Sequence, residues 1–197
     1  MSYQIKYPTV ANALYQALLS DSFYATLAKT ISNSLEAQQV GMLKYLDYSM
    51  QEASQFGVLL LPSEHQYGAS IWSKPLSFEE SKQKKHLKET FIKNELGESA
   101  WNCYHEIVTF MDKQIDGIIP DNIWYLSILG LHPRHQNKGL GSGLVQPILS
   151  QMDKLGVPTY LETFTPRNIS FYKRLGYKIV DSFLEPTTKA EYWVMVR

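Results

Sequence analysis

The chain of 197 residues lacks several features that mark common classes of protein. It has a single cysteine, Cys103, so no intramolecular disulfide can form. Its 19 basic residues balance its 19 acidic ones, and this zero net charge disfavours general binding to nucleic acid or to an anionic membrane. The longest plain apolar run, residues 58–61, is far shorter than the roughly 20 residues of a membrane-spanning helix. We therefore expect neither nucleic-acid nor membrane partners.

What the chain does contain is typical of a folded domain. Hydrophobic residues make up 44% and charged residues 19%, which excludes disorder as the dominant state. The length suits one domain over residues 1–197. No early segment combines a basic start, an apolar run and a small-residue cleavage site, so we expect a cytoplasmic protein. The oligomeric state stays open.

The N-terminal half has mostly helical periodicity. Apolar residues recur at three- and four-residue steps over residues 7–54, which predicts two or three helices. Residues 57–61 and 69–72 then favour an antiparallel hairpin. Ser77 and Glu80 have the spacing of a capping box, so a helix should run to about Leu96 and a second from about Ser99. Together these two helices form a helical insertion at about 77–120, where we expect acceptor selectivity.

The C-terminal half alternates strands with helices. The predicted strands are residues 122–131, 158–163, 177–184 and 192–196, and the predicted helices are 139–155 and 166–175. Pro147 should kink the first of these helices near Gly143. Hairpin connections at both ends and a strand-helix-strand unit between them predict an α/β (α+β) fold, a mixed sheet with helices on its faces.

The most informative stretch runs from Leu129 to Gly143, where a strand leads through a loop rich in glycine and basic residues into a helix. Backbone N–H groups and the positive helix end converge there, so the loop should bind phosphate. Gly139 and Gly141 let an anion approach the backbone, and Asn137 tolerates the left-handed conformation that such loops need. We call residues 136–143 the Gly-rich loop.

Several designs could use this loop. A P-loop needs Gly-Lys followed by Ser or Thr, which is absent. A dinucleotide fingerprint needs Gly-x-Gly-x-x-Gly, whereas these glycines are spaced differently and come late in the chain. The glycines could also serve only tight helix packing.

A third design fits better. The pattern Gln136-x-x-Gly139-x-Gly141 after a strand resembles the pyrophosphate loop of the GNAT superfamily of acetyl-CoA-dependent N-acetyltransferases, and further segments resemble its puromycin N-acetyltransferase-like branch. These segments are GASIWSKP (68–75), WYL (124–126), LGLHP (129–133), QNKGLGS (136–142), Pro147, YLET (160–163), PRN (166–168), FY (171–172) and LGY (175–177). Asn137 stands where relatives commonly have Gly. The family's first strand is not placed securely, since residues 3–6 are a poor candidate.

The resemblance implies how acetyl-CoA would bind. In the family, pantetheine lies along the backbone of the fourth strand where it splays from the fifth, which here implies Leu129 and Leu131. The remaining cofactor-binding residues that the resemblance implies are Gln136, Asn137, Lys138, Gly139, Gly141, Ser142 and Asn168. The cofactor thioester would then lie near a free strand amide that stabilises the developing oxyanion.

The resemblance also implies catalytic roles. Tyr172 would protonate the departing CoA thiolate, because an ordinary tyrosine stays protonated near neutrality; alternatively it is a core aromatic with a satisfied hydroxyl. Glu162 on the fifth strand is the candidate base for the attacking amine, although a carboxylate that only braces the strand fits equally. His132 and His135 lack further metal ligands at sensible spacing, so we expect no metal.

These observations predict an acetyltransferase whose acceptor is a small amine that attacks the thioester directly. Two alternatives remain open. The fold could be a CoA-binding sensor without turnover, or the loop could bind another nucleotide phosphate.

Overall fold

The computed structural model describes residues 3–63, 65–120 and 122–197. Its N-terminal part folds into three helices, α1 (Pro8–Leu18), α2 (Ser22–Ile31) and α3 (Leu35–Phe56). The side chains of Asp21 and Ser34 cap α2 and α3 by accepting from backbone amides of the first turn. The periodicity of residues 7–54 thus predicted these helices correctly.

Two strands and two helices follow. Strands β1 (Gly57–Leu60) and β2 (Gly68–Ser73) form the expected antiparallel hairpin. Helix α4 (Phe78–Glu95) begins with the predicted capping box of Ser77 and Glu80, and α5 (Glu98–Ile115) completes the helical insertion. Gly97 joins the two helices with a φ of 98°, a conformation that favours glycine.

The C-terminal half contains the expected alternation. Its elements are β3 (Trp124–Leu131), a 3-10 turn (Pro133–His135), α6 (Leu140–Gly143), α7 (Gln146–Leu155), β4 (Thr159–Thr163), a 3-10 turn (Pro166–Asn168), α8 (Ile169–Arg174), β5 (Lys178–Glu185) and β6 (Ala190–Val196). The strands form one sheet in the order β1-β2-β3-β4-β6-β5. Among the strands of the described residues, only β3 and β4 pair in parallel, so the mixed sheet predicted from sequence is confirmed.

Alternate side chains of the strands enter different cores. Ile71 of β2 packs with α1, α3 and α4, whereas its neighbour Trp72 packs with α7 and α8 on the other face. A third cluster lies between α5 and the β4–β6 end of the sheet and includes Ile107, Phe164 and Tyr192. The sheet is therefore covered by helices on both faces.

One expected helix is divided in two. The sequence pattern predicted a continuous, kinked helix over 139–155, but α6 ends at Gly143 and α7 starts at Gln146. Pro147 lies in the first turn of α7, because proline has no N–H for the preceding turn and fits a helix start. The carbonyl of Leu144 at the break instead accepts a hydrogen bond from Ser70 Oγ.

Residues 3–6 form no strand, and the sheet starts at Gly57. The carboxylate of buried Asp47 holds this segment instead by accepting from the backbone amides of Lys6 and Tyr7 at 3.0 and 2.6 Å. In the described part of the chain, no helix has both the length and the apolar character needed to cross a membrane.

Candidate active site

The parallel strands β3 and β4 separate near their middle. Their pairing covers Trp124–Leu126 on β3 and ends at Leu126 opposite Leu161. At the next residue, Ser127, β3 carries a bulge against β2, since Ile71 pairs with Ile128 but Trp72 pairs with Leu126. Because a bulge bends and twists its strand, β3 turns away from β4 at this point. We call the resulting opening, between residues 127–131 and 162–163, the strand gap.

Backbone groups of β3 face this gap. His132 N donates to Tyr67 O at 2.8 Å, just beyond the paired residues Leu131 and Gly68. Since hydrogen-bonded and non-bonded pairs alternate in an antiparallel ladder, the backbone groups of Leu129 and Leu131 point away from β2. The two residues predicted to bind pantetheine therefore present backbone to the strand gap.

The Gly-rich loop lies at the end of β3. Asn137 has a φ of 59° and Gly139 a φ of 76°, so the left-handed backbone expected at Asn137 is confirmed. Gln136 is held within the protein, because its Nε2 donates to Leu131 O at 2.8 Å. Lys138 and Gly139 are exposed, and Gly139 has no neighbouring atom within 4 Å of an added Cβ. The loop thus presents open backbone and one free cationic side chain to solvent.

Gly141 and Ser142 lie in the short helix α6 that follows. A Cβ on Gly141 would lie 3.3 Å from the ring of Phe171, so this glycine also permits close packing of α6 on α8. Both the phosphate-binding and the packing interpretation of the loop glycines therefore have a structural basis at this position.

The strand gap continues into a cavity of about 80 Å³, which we call the acceptor cavity because the sequence predicts an acceptor amine beside Glu162 and Tyr172. Glu162, Asn168 and Tyr172 all line it, as their predicted common site requires. The other lining residues are Leu18, Asp21, Phe23, Tyr24, Met111, Tyr125, Leu126, Ser127, Ile128, Leu129, Thr163 and Phe164. The cavity is therefore walled mainly by aromatic and aliphatic side chains, with two carboxylates.

Tyr172 reaches the cavity from α8. Its side chain is 6% exposed and its ring lies 6.1 Å from that of Tyr177 in the core. Burial, with smaller contributions from Tyr177 and Asp21, raises the pKa of the Tyr172 hydroxyl well above its usual value. Tyr172 is thus both a core aromatic and a phenol that stays protonated at the cavity wall.

Glu162 follows Leu161, the last residue of β4 that pairs with β3. Burial raises the pKa of its carboxyl from 4.5 to about 7, with the nearby Tyr125 hydroxyl opposing this rise and Asp112 adding to it. Its Oε1 atom is buried and has no hydrogen-bond partner among the residues that the structure describes. An unpartnered buried oxygen is more typical of a site residue than of a carboxylate that only braces its strand.

Several cavity residues were not found by the sequence analysis. Asp21, Phe23 and Tyr24 come from the start of α2, and Met111 comes from the insertion helix α5. Burial raises the pKa of the Asp21 carboxyl, which accepts hydrogen bonds from Phe23 N and Thr165 Oγ1. The only sequence signal was that Asp21 suits a helix N-cap, which does not indicate a site.

The histidines near the loop have structural contacts. His132 Nδ1 accepts from Arg134 N at 3.2 Å, and the ring of His135 stacks on Tyr67. Within residues 3–63, 65–120 and 122–197, no three His, Cys, Asp or Glu side chains are grouped so as to hold a metal ion.

Comparison with known families bears on this arrangement. Residues 75–177 match the model of the Acetyltransferase (GNAT) family. The matched stretch is more than half of the chain and contains β3, the Gly-rich loop, Glu162 and Tyr172. The chain belongs to this GNAT family. An uncharacterized N-acetyltransferase of Schizosaccharomyces pombe is 35% identical over 57 residues, which cover 29% of this chain and 23% of that protein.

Solved structures share the fold at low sequence identity. A Corynebacterium glutamicum protein described as histone acetyltransferase HPA2 and related acetyltransferase has a TM-score of 0.62 at 17% identity, covering 99% of this chain and 92% of its own. A mosquito arylalkylamine N-acetyltransferase-like protein gives 0.61 at 12%, covering 96% and 93%. A Drosophila melanogaster polyamine N-acetyltransferase gives 0.56 at 14%, covering 96% and 94%. The GNAT fold thus extends over almost the whole chain.

Proposed function

We propose that this GNAT protein transfers the acetyl group of acetyl-CoA to the amine of a small molecule by direct attack. The observation that carries the proposal is the strand gap, which exposes the backbone of β3 between the Gly-rich loop and a cavity holding Glu162 and Tyr172. The sequence segments from GASIWSKP (68–75) to LGY (175–177) support placement of the chain in the puromycin N-acetyltransferase-like branch.

The residues on either side of the gap fit acetyl-CoA. Backbone groups of Leu129 and Leu131 supply the amide partners that a pantetheine arm needs. At the loop, the exposed backbone and Lys138 suit a pyrophosphate, with Asn137 and Gly139 in the left-handed conformations that aim N–H groups outward. Acetyl-CoA supplies the acetyl group as an activated thioester.

Glu162 accepts the proton of the attacking amine. An ammonium has no lone pair, so the acceptor must lose a proton before or during attack. A carboxyl with a pKa of about 7 is substantially ionised near neutral pH and is a stronger base than an ordinary glutamate. Its unpartnered Oε1 is available to an incoming N–H donor.

Tyr172 donates a proton to the departing thiolate. The buried Tyr172 phenol is protonated near neutral pH and lines the cavity, so it is positioned to supply the proton that the departing thiolate takes up. Both Tyr172 and Asn168 lie at the cavity on the α8 side, while Glu162 lies on the β4 side. Proton removal and proton delivery thus occur on different walls of one site.

The acceptor cavity favours small cationic amines over an extended protein tail. The Glu162 carboxylate attracts the ammonium form, and the faces of Phe23, Tyr24 and Tyr125 suit a cation or an apolar chain. The similar mosquito and fly proteins are named for arylalkylamines and polyamines, which supports this class. Met111 on α5 gives the helical insertion a part in the selection.

Thermal shift and thiol release test the proposal together. Acetyl-CoA and CoA should stabilise the protein, by about 2.7 kcal/mol at a concentration of 100 times Kd, while NAD and ATP should not. Phenylethylamine, agmatine and a peptide with a free N terminus are then compared for acetyl-CoA-dependent thiol release. Stabilisation without release for any amine would indicate a CoA-binding sensor, and a response to NAD or ATP alone would indicate another nucleotide.

A further inference from the structure

Asp21 bridges two segments that are distant in sequence. Its Oδ1 accepts from Phe23 N at 3.0 Å as the cap of α2, and its Oδ2 accepts from Thr165 Oγ1 at 3.0 Å. One carboxylate therefore binds both the α1–α2 corner (residues 18–24) and the β4–α8 connection (residues 164–168).

Thr165, the partner of Asp21, uses its hydroxyl for this bond and does not cap the turn that follows it. Thr165 occupies the cap position of the 3-10 turn Pro166–Asn168, where a threonine side chain commonly accepts from a backbone amide of the first turn. In the structure it makes no such cap, and its hydroxyl donates to Asp21 instead. The helix that carries Tyr172 is thus tied at its start to the opposite wall.

Both tied segments form the acceptor cavity. The α1–α2 corner contributes Leu18, Phe23 and Tyr24, and the other side contributes Phe164 and, through α8, Tyr172. Among the residues that the structure describes, the Asp21–Thr165 bond is the only side-chain hydrogen bond that joins the α1–α2 corner to the β4–α8 connection. This bond therefore joins the two walls directly, beside the packing of Phe23 on the cluster that contains Phe164.

We propose that Asp21 is a positioning residue for acetyl transfer, which through Thr165 holds the wall of the acceptor cavity formed by Phe23 and Tyr24 in register with Tyr172. The inference rests on the proposed function. Asp21 acts through the segments that it joins, since both of its oxygens already accept hydrogen bonds from the protein. A displaced wall misorients the bound amine relative to the thioester, and small misplacements of bound reactants lower rates strongly.

Two substitutions break the bridge from opposite ends. Thr165→Val removes the hydroxyl at nearly constant size, and Asp21→Ser keeps a cap for α2 but is too short to reach Thr165 in the same way. Each should raise the acceptor KM and lower kcat/KM for the amine by about tenfold to a hundredfold, with the acetyl-CoA KM within about twofold of wild type. The double variant should lose no more than either single variant, because both remove the same bond.

Asp21→Asn is the conservative variant. Its Oδ1 still accepts from Phe23 N, and its amide donates to Thr165 Oγ1, so the bridge persists without charge. We expect its acceptor KM to return near wild type. Ser34→Ala is the matched control, since it removes the cap of α3 outside the cavity and should lower Tm with unchanged kinetics.

Hydrogen exchange adds a readout without turnover. Amides of the α1–α2 corner should exchange faster in Thr165→Val than in wild type, and those of α3 should not. An unchanged acceptor KM in Thr165→Val, or an Asp21→Asn variant as impaired as Asp21→Ser, would overturn the positioning role. If wild type transfers acetyl to no amine, the proposed function fails and takes this inference with it, whereas active wild type with unaffected variants overturns this inference alone.

Discussion

The ring of Tyr125 stacks on the ring of Tyr160, with centroids 4.5 Å apart, across the parallel β3–β4 pair. The two residues are direct partners, and one position later the strands reach their last paired residues. Glu162 follows on the same face as Tyr160, because alternate residues of a strand share a face. The stacked rings therefore close the end of the strand gap that lies beside the candidate base, Glu162.

Glu162→Gln tests the base. The wild-type kcat/KM should rise with pH and level off above about 7, since only the ionised carboxylate accepts a proton. The variant should lose this inflection and about 10²- to 10⁴-fold in rate. Steady-state thiol release between pH 5.5 and 9 measures both quantities. A variant that keeps the wild-type inflection assigns the titration to another group.

Tyr125→Phe should move that inflection to higher pH. The Tyr125 hydroxyl lowers the pKa of Glu162, so its removal should raise that pKa further above its ordinary value. Tyr160→Phe is the control, because the Tyr160 hydroxyl stabilises no charge on Glu162. Equal shifts in the two variants would show that the stacked pair, rather than the Tyr125 hydroxyl alone, sets the pKa of the Glu162 carboxyl.

Glu162→Gln should also stabilise the protein in a pH-dependent way. A carboxyl whose folded pKa is about 7 against 4.5 when unfolded stabilises the fold at low pH, and this contribution is lost as pH rises from 4.5 through 7. The free energy of unfolding of the variant should therefore exceed that of wild type by an amount that grows to roughly 3 kcal/mol above pH 7. Urea unfolding at pH 4.5, 6 and 8 measures the difference, and a constant difference contradicts the raised pKa.

Tyr172→Phe should separate binding from turnover. The ring stays in its buried position, so affinity for acetyl-CoA should change by less than about threefold, while kcat falls by about 10²-fold or more as the proton donor is lost. Calorimetry with CoA and single-turnover kinetics measure the two effects. Wild-type turnover in this variant would remove Tyr172 from the mechanism.

Gly139→Asp should weaken CoA binding through charge at the Gly-rich loop. Gly156→Asp is a matched control, since both glycines have a positive φ (76° and 63°) and no atom within 4 Å of an added Cβ. The two variants should lose similar stability through backbone strain. Only Gly139→Asp should lower CoA affinity, by about tenfold or more through like-charge repulsion. Equal affinities in the two variants would contradict phosphate binding at the loop.

Local chemistry made much of this structure predictable. The capping box at Ser77, the left-handed Asn137 and the helix end at Gly156 each follow from properties of a few adjacent residues. The placement of Asn168 and Tyr172 on one cavity follows from helical spacing alone.

Other features depend on contacts that a sequence pattern does not contain. Pro147 lacks an N–H group, and this alone is compatible with either a kinked helix or two separate helices. The structure has two helices, and at the break the carbonyl of Leu144 accepts a hydrogen bond from Ser70, a residue of β2. Asp21 enters the site because it accepts a hydrogen bond from Thr165, which lies 144 residues away in the sequence. The bulge at Ser127 is likewise invisible in the run of apolar residues around it.

The bulge at Ser127 also changes the alternation of side chains along β3. Leu126 packs with α7, and regular alternation would send Ile128 to the same side, yet Ile128 packs with α1 and α3 on the opposite one. Deletion of Ser127 would therefore remove the bulge and leave Ile128, Leu129 and Leu131 on their present sides of the sheet, because Ile128 would then directly follow Leu126. The rest of β3 would run on beside β4, and their pairing would continue past Leu126. One inserted residue thus opens the site without changing which side chains of β3 face it.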